Sequence, residues 1–219
     1  MSSHLAIEHC GQTLWLMPDR AIYWPARRAL LVADVHIGKA ASYRALHQPV
    51  PRGTTETTLQ RLDALLAACE CELLIILGDF IHARTGRTAS TMARLQAWRD
   101  RHAQLRIVLV RGNHDRHAGD PPAQLGIDVQ DEPWLLPPFA LQHDPAIHPD
   151  YPVLSGHVHP AFVLRGRARQ RVRLPCFVFS QQVSLLPAFG EFTGGWNVEP
   201  KPDNRIYLAG AGQVWALQI

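Results

Sequence analysis

The sequence lacks any apolar run long enough to cross a membrane. Its longest uninterrupted apolar stretches, such as Leu-Leu-Ile-Ile-Leu at 73–77, are far shorter than the roughly 20 residues that a transmembrane helix needs. The segment 1–10 contains His and Glu where a signal peptide would have a continuous apolar region. We therefore expect a protein that has no membrane partner and stays in the cytoplasm.

Cysteine and lysine are also scarce. The cysteines form neither a CxxC pair nor a disulfide framework, and we expect reduced, mostly buried thiols at Cys10, Cys69, Cys71 and Cys176. Lys39 and Lys201 are the only lysines, so the basic residues are almost all arginine, with a net charge of +3. Guanidinium groups suit nucleic-acid phosphates, but a GC-rich genome also enriches arginine, and composition leaves both explanations open.

The length and composition indicate one folded unit. The chain has 219 residues, of which 47% are hydrophobic, enough to bury one sizeable core. Internal repeats, low-complexity tracts and linker-like stretches are lacking. We therefore expect a single domain over residues 1–219.

Three short apolar runs, at 29–33, 73–77 and 107–110, are typical of strands covered on both faces in a mostly parallel sheet. Thr54 is placed to cap a helix between the first two runs, and Met92 to Trp98 mark a second helix before the third. Such a β-α-β-α-β series brings the loops that follow the strands to one edge of the sheet.

Further strands are predicted on both sides of this series. The runs 13–17 and 20–24 flank Pro18-Asp19 and indicate a strand pair. After Pro152 the pattern predicts strands at 152–154, 161–164, 172–180, 205–208 and 213–219, with a turn at 210–212. We expect this β-rich half to pack on the first.

Polar clusters follow the apolar runs directly, at the predicted ends of strands. A single His or a Gly-Asp pair is usually structural, but five such elements in this order would rarely arise by chance. Carboxylate, imidazole and amide groups at one edge indicate a metal site. The elements are Asp34-Val-His36, Gly78-Asp79, Gly112-Asn113-His114-Asp115, His143 and Gly156-His157-Val158-His159.

This arrangement from residue 34 to residue 159 resembles the calcineurin-like metallophosphoesterases. The resemblance implies an α/β fold, a four-layer α/β/β/α sandwich of two mixed sheets flanked by helices. It also implies that Asp79 bridges two divalent ions and that His114 stays unligated. One ion would be held by Asp34, His36 and His159, and the other by Asn113, His143 and His157.

Two such ions would keep the site positively charged for a phosphate and would lower the pKa of a water. His114, next to Asn113, is then placed to protonate the departing oxygen as a catalytic acid. Asp115 would orient that imidazole or cap a helix, and His82 would be structural, support a ligand or face the substrate. Nitrogen and oxygen ligands without Cys suit Mn²⁺, Fe or Zn²⁺, and the resemblance favours Mn²⁺.

The segments 156–160, 175–177 and 187–195 resemble one subfamily, the DNA ligase-associated metallophosphoesterases. Members are encoded beside an ATP-dependent DNA ligase and a helicase, and are assigned to DNA repair as endonucleases or phosphodiesterases. The resemblance implies a DNA substrate and makes the ligase and the helicase possible partners. Two alternatives remain: hydrolysis of small cyclic or nucleotide diesters, and a non-catalytic repair component that metals only stabilise.

A group of alternating arginines bears on the DNA substrate. In one continuous strand these side chains would share a face, and we single out Arg167, Arg169 and Arg171 as candidates to bind substrate. The alternative is that Gly166 makes a turn and that the arginines form a solvated hairpin. The whole group is Arg165, Arg167, Arg169, Arg171 and Arg173.

Overall fold

A computed structural model describes residues 4–51, 53–166 and 170–218 of the chain. Within these ranges the fold is an α/β sandwich of two mixed sheets flanked by helices. No helix in the described part is long and apolar enough to cross a membrane.

The first sheet, counted over the described residues, has seven strands in chain order. Strands β1 to β4 are antiparallel neighbours, and β4 to β7 are parallel. The strands are β1 (Leu5–His9), β2 (Gln12–Met17), β3 (Ala21–Trp24), β4 (Ala29–Ala33), β5 (Leu73–Leu77), β6 (Arg106–Val110) and β7 (Asp128–Gln130). The predicted parallel strands and the pair at 13–17 and 20–24 are confirmed, with shifts of a residue at their ends.

Strand β4 shows why the apolar runs are continuous. All five of its residues are buried, because both faces of the sheet are covered. Leu30 and Val32 pack toward the helices, whereas Leu31 and Ala33 belong to the core shared with the second sheet. Alternation along one strand therefore supplies two separate cores.

Four α-helices lie in the described ranges: α1 (Lys39–Ala45), α2 (Thr54–Ala68), α3 (Ala89–Arg101) and α4 (Asn113–Ala118). Leu59 and Leu62 of α2 and Trp98 of α3 pack on the outer face of the first sheet. The predicted cap at Thr54 is wrong: Gly53 occupies the cap position with φ 90°, and no side chain bonds to the first turn. Helix α3 is capped by Thr88, whose hydroxyl accepts a hydrogen bond from the Thr91 amide.

The second sheet contains nine strands among the described residues. Strand β12 is central, since its first half pairs with β11 and its second half with β15. The strands are β8 (Trp134–Leu136), β9 (Phe139–Leu141), β10 (Val153–Ser155), β11 (Pro160–Arg165), β12 (Arg171–Phe179), β13 (Val183–Leu185), β14 (Trp196–Asn197), β15 (Arg205–Gly210) and β16 (Gln213–Ala216). The prediction of a strand to residue 219 is wrong within the described part, because β16 ends at Ala216.

The two sheets pack face to face, as predicted for the β-rich half. Leu31 and Ile75 of the first sheet meet Phe139, Leu154 and Phe177 of the second in one buried cluster. An isolated parallel bridge between Ala33 and Ala188 joins the end of β4 to the segment that follows β13. The C-terminal ends of β4, β5, β6 and β10 thereby come to a common edge.

Candidate metal centre

The site residues follow the strand ends, as the sequence indicates. Asp34 comes directly after β4, Asp79 lies two residues after β5, and Asn113 begins α4 three residues after β6. His157 and His159 belong to the connection between β10 and β11.

The backbone at five of the site residues is in the left-handed region, which few residues other than glycine adopt. The φ angles lie between 49° and 68° for Asp34, His36, Asp79, His157 and His159. Each such residue costs on the order of 1–3 kcal/mol, and such strain concentrates at functional sites. Hydrogen bonds hold the turns together, for example from the His36 amide to the Asp79 carbonyl oxygen at 2.8 Å.

A first group of donor atoms is formed by Asp34, His36 and His159. Nε2 of His159 lies 3.3 Å from Oδ1 of Asp34 and 3.5 Å from Nε2 of His36. One ligand atom from each of the three residues lies within 4.8 Å of the other two. Asp34 and His36 are buried.

A second group is formed by Asn113, His143 and His157. The Oδ1 of Asn113 is 2.8 Å from Nε2 of His143 and 3.1 Å from Nδ1 of His157, and the two imidazole nitrogens are 3.0 Å apart. Nδ1 of His143 donates to the carbonyl oxygen of Leu77 at 3.2 Å. That bond leaves the lone pair of Nε2 facing the other donors.

The carboxylate of Asp79 lies between the two groups. Its Oδ2 is 3.8 Å from Nε2 of His36, and its Oδ1 is 3.5 Å from Nε2 of His143. Oδ1 also accepts a hydrogen bond from the His114 amide at 2.9 Å. The structure thus brings together all seven residues that the sequence singled out as ligands.

The donor set fits divalent metal ions. Ligand distances of about 2.0–2.2 Å place neighbouring ligand atoms about 3 Å apart, as the nitrogens and oxygens of the second group are. Burial, and next the charge on Lys39, lower the pKa of His36, so its imidazole is neutral and able to coordinate. Asn113 and His157 are exposed, so the centre is open to solvent on their side.

His114 lies at the rim of the centre, with a side chain that is 37% exposed. Its Nδ1 donates to the carbonyl oxygen of His82 at 2.7 Å, and its Nε2 is 3.9 Å from Oδ2 of Asp79. The ring therefore presents Nε2 toward the donor groups while its other nitrogen is occupied.

His82 contacts the Nδ1 side of His36, a candidate ligand whose Nε2 faces the other donor atoms. Its Nδ1 lies 3.3 Å from Nδ1 of His36, and its ring stacks on that of His114 with centroids 4.8 Å apart. Burial, with the charges on Lys39 and His114, lowers the pKa of His82 to about 4. Among the roles considered for His82, this geometry favours support of a ligand.

Asp115 binds backbone rather than an imidazole. Its Oδ1 accepts from the amides of Phe80 and Ile81 at 3.0 and 3.2 Å, and its Oδ2 accepts from the amide of Gly112 at 3.0 Å. Burial raises the pKa of Asp115 to about 6, although these three hydrogen bonds oppose the shift. Two roles were expected for Asp115, orienting the His114 imidazole or capping a helix. The structure confirms the cap, at the start of α4.

The arginine-rich segment forms a hairpin. Arg165 pairs with Arg171 across antiparallel β11 and β12, so the single continuous strand is wrong and the chain reverses direction between these two residues, as the hairpin alternative requires. Arg171 and Arg173 are exposed on β12. Arg167 and Arg169 lie outside the described residues.

Two further features near the centre were not predicted. Lys39 is buried at the start of α1, and burial lowers its pKa even though Asp34 and Asp79 oppose this effect. Glu191 accepts hydrogen bonds from both Arg20 and Arg61 and joins the β2–β3 turn, α2 and the loop after β13. The charge pattern alone does not reveal such contacts between residues more than 100 positions apart.

Comparison with known proteins is consistent with this geometry. The chain matches the family model of calcineurin-like phosphoesterases over residues 27–167. No curated protein sequence matches it. The crystal structure of the Pseudomonas putida nuclease MPE is similar, with a TM-score of 0.88 and 65% sequence identity, over 98% of this chain and 100% of that one.

Proposed function

Because the chain belongs to the calcineurin-like phosphoesterase family, whose members are metal-dependent enzymes, we propose that it cleaves phosphodiester bonds in DNA at a centre of two ions. The observation that carries this proposal is the convergence of two donor groups around one carboxylate, that of Asp79. The similarity to a nuclease along nearly the whole chain supports a nucleic-acid substrate.

In this proposal the two donor groups bind one ion each. Asp34, His36 and His159 would hold the first ion, and Asn113, His143 and His157 would hold the second. The two oxygens of Asp79 face different groups, which suits a bridging carboxylate. When bound, two divalent ions supply charge that neutralises the phosphate and lowers the pKa of an attacking water. We favour Mn²⁺, with Fe or Zn²⁺ also compatible with nitrogen and oxygen ligands.

The protein's own groups then position the substrate and move a proton. The exposed side of the centre, at Asn113 and His157, admits the phosphodiester. His114 is assigned as the general acid, because its Nε2 faces the centre and its Nδ1 proton is held by the His82 carbonyl. A departing alkoxide needs a proton as its bond to phosphorus breaks, and the protonated imidazole of His114 gives it the proton on Nε2 while the Nδ1 proton stays on the ring.

The experiment compares substrates under identical conditions. Purified protein with Mn²⁺ is incubated with labelled single-stranded, duplex and nicked DNA, and separately with a nitrophenyl diester and a nitrophenyl monoester. We expect cleavage of DNA and of the diester, much slower hydrolysis of the monoester, and loss of all activity with a chelator. Hydrolysis of small diesters without DNA cleavage would instead support the alternative substrate class, and inactivity towards every ester would support a non-catalytic component.

Metal stoichiometry tests the centre itself. The wild-type protein should bind two divalent ions per chain, whereas Asp79→Asn should weaken both sites because it changes the shared carboxylate. One ion per chain at saturating metal, in folded wild-type protein, would contradict the dinuclear centre.

We further propose a role in DNA repair beside a DNA ligase and a helicase, on the resemblance of segments 156–160, 175–177 and 187–195. The test is recovery of either protein with the tagged chain from the native cell. A catalytically inactive Asp79→Asn variant should recover the same partners, and recovery of neither would contradict the association.

A further inference from the structure

A small cavity lies beside the metal centre, on the side of His159. Its volume is about 180 Å³, and its walls include Arg20, Arg173 and the segment from Thr193 to Gly195. His159 borders this cavity and also belongs to the first donor group. A molecule in the cavity would therefore lie next to the position where the scissile phosphate binds.

The cavity carries positive charge. Arg20 donates to Glu191 at 2.9 Å, but Arg61 pairs with the same carboxylate, so the three side chains retain one net positive charge. Nε of Arg173 donates to Oδ1 of Asn197 at 2.9 Å, and within the described ranges Arg173 has no carboxylate partner. Guanidinium groups of this kind bind phosphate through paired N–H donors.

Two exposed aromatic side chains flank the same segment. Phe192 is 52% exposed and Trp196 is 72% exposed. Neither ring stacks on another aromatic ring in the described part of the chain. Nucleic-acid bases stack on exposed aromatic side chains of this kind.

Backbone pairing fixes the positions of Gly195 and Trp196 relative to His159. Strand β14 lies parallel to β11, and the Trp196 amide donates to the His159 carbonyl oxygen at 3.0 Å. A β-carbon on Gly195 would lie 3.0 Å from a guanidinium nitrogen of Arg173 and 3.1 Å from the same carbonyl oxygen. Glycine at this position therefore lets β14 approach both the cation and the metal-site loop.

We propose that Arg20, Arg173, Thr193–Gly195 and Trp196 form a flanking-nucleotide subsite, which binds the nucleotide next to the scissile phosphate. The arginines bind the phosphate of that nucleotide, and Trp196 stacks on its base. The base must be unpaired to stack in this way. The proposal rests on the proposed DNA function and adds the residues that bind the substrate beside the metal centre.

The test combines variants of the protein with modified substrates. Trp196→Ala, Trp196→Phe and Arg173→Gln are compared on a labelled oligonucleotide and on methyl nitrophenyl phosphate, which has no flanking nucleotide. Two further oligonucleotides carry an abasic position on one or the other side of the cleavage point. Trp215→Ala, on the edge strand β16, and Arg106→Gln, at the opposite end of β6 from the centre, are the matched controls.

Trp196→Ala should reduce kcat/KM on the oligonucleotide by about 5- to 100-fold, the range that loss of one base stack produces. Arg173→Gln should lower it in a salt-dependent way, and Trp196→Phe should keep most of the activity. Hydrolysis of the small diester should barely change for any of the three variants, because that substrate has no flanking nucleotide. One abasic oligonucleotide should be a poor substrate for wild type and should show little further loss with Trp196→Ala.

The possible failures are distinguishable. If wild type hydrolyses the small diester but neither binds nor cleaves the oligonucleotide, the DNA function is wrong and the subsite is wrong with it. If wild type cleaves the oligonucleotide and Trp196→Ala cleaves it equally well, the DNA function stands and only the subsite is overturned. Equal losses with the small diester, or with the control variants, also overturn it.

Discussion

The imidazole of His143 lies against the α-carbon of Gly78, so that a β-carbon built on Gly78 would be 2.1 Å from its Nδ1. We predict that Gly78→Ala displaces His143 and empties the metal site of Asn113, His143 and His157. DNA cleavage should fall by about 10²-fold or more, since displacements near 1 Å have effects of this size. The measurements are metal content per chain and kcat on the oligonucleotide.

Gly11→Ala is the matched control for this substitution. Gly11 and Gly78 both have φ of 72°, so alanine meets the same backbone strain at each position. Nothing lies within 4 Å of the β-carbon position at Gly11, in the β1–β2 turn. The control should lose about 1 kcal/mol of stability and keep both ions. If both variants lose metal alike, backbone strain and not the contact with His143 is responsible.

The strands that carry the centre were predictable because burial on both faces leaves a clear pattern. Strand β4 is entirely apolar and is followed at once by Asp34, and the same change of pattern occurs after β5 and β6. Parallel strand ends share an edge, so their convergence followed from topology. The left-handed backbone at Asp34 and His36 was not predictable, because the hydrogen bonds that hold it come from the neighbouring loop at Gly78 and Asp79.

Contacts between distant polar residues were beyond prediction for a different reason. His82 meets His36 through two loops whose separation depends on sheet packing, and Glu191 meets Arg61 from a segment 130 positions away. The sequence of the arginine-rich segment was compatible with one continuous strand and with a hairpin, because Gly166 can lie in a strand or in a turn. Only the register of Arg165 with Arg171 decides between them.

That hairpin leads to a prediction about salt dependence. Replacing Arg167, Arg169 and Arg171 with Gln should weaken DNA binding and flatten the plot of log affinity against log salt, by about 0.7–0.9 per lost phosphate contact. Hydrolysis of a small diester should barely change. The binding assay is run from low to physiological salt.

The control for the hairpin replaces three exposed arginines of the first half with Gln, namely Arg94, Arg101 and Arg106. Each forms a surface ion pair, with Glu56, Asp63 and Asp128 respectively. This variant loses the same number of arginines from another surface. An unchanged slope for the hairpin variant, or an equal change in the control, would show that the hairpin arginines are solvated rather than bound to DNA.

Stability should depend on pH through His9, which is buried beside Arg205 and Ser184. Burial, and next the charge on Arg205, lower the pKa of His9 from 6.5 to about 4. Between these values the unfolded chain binds more protons, so the free energy of unfolding should fall as pH decreases from about 6.5 to about 4. His9→Gln should flatten this part of the profile in urea unfolding of the metal-free protein. The exposed His47→Gln should not, and a wild-type profile flat across this range would contradict the shift.

The hydrogen bond from His114 to the His82 carbonyl, at 2.7 Å, leaves only Nε2 of His114 free to act on the substrate. Since His114 is not among the seven donors, His114→Gln should retain two ions per chain. It should slow DNA cleavage by about 10²- to 10⁴-fold, because an alkoxide leaving group needs a proton. Nitrophenolate leaves with much less need of a proton, so the rate of hydrolysis of a nitrophenyl diester should fall far less, provided that chemistry limits both rates. His148→Gln, remote from the centre, is the control. Equal losses on both substrates with two ions bound would mean that His114 stabilises phosphate charge instead of donating a proton.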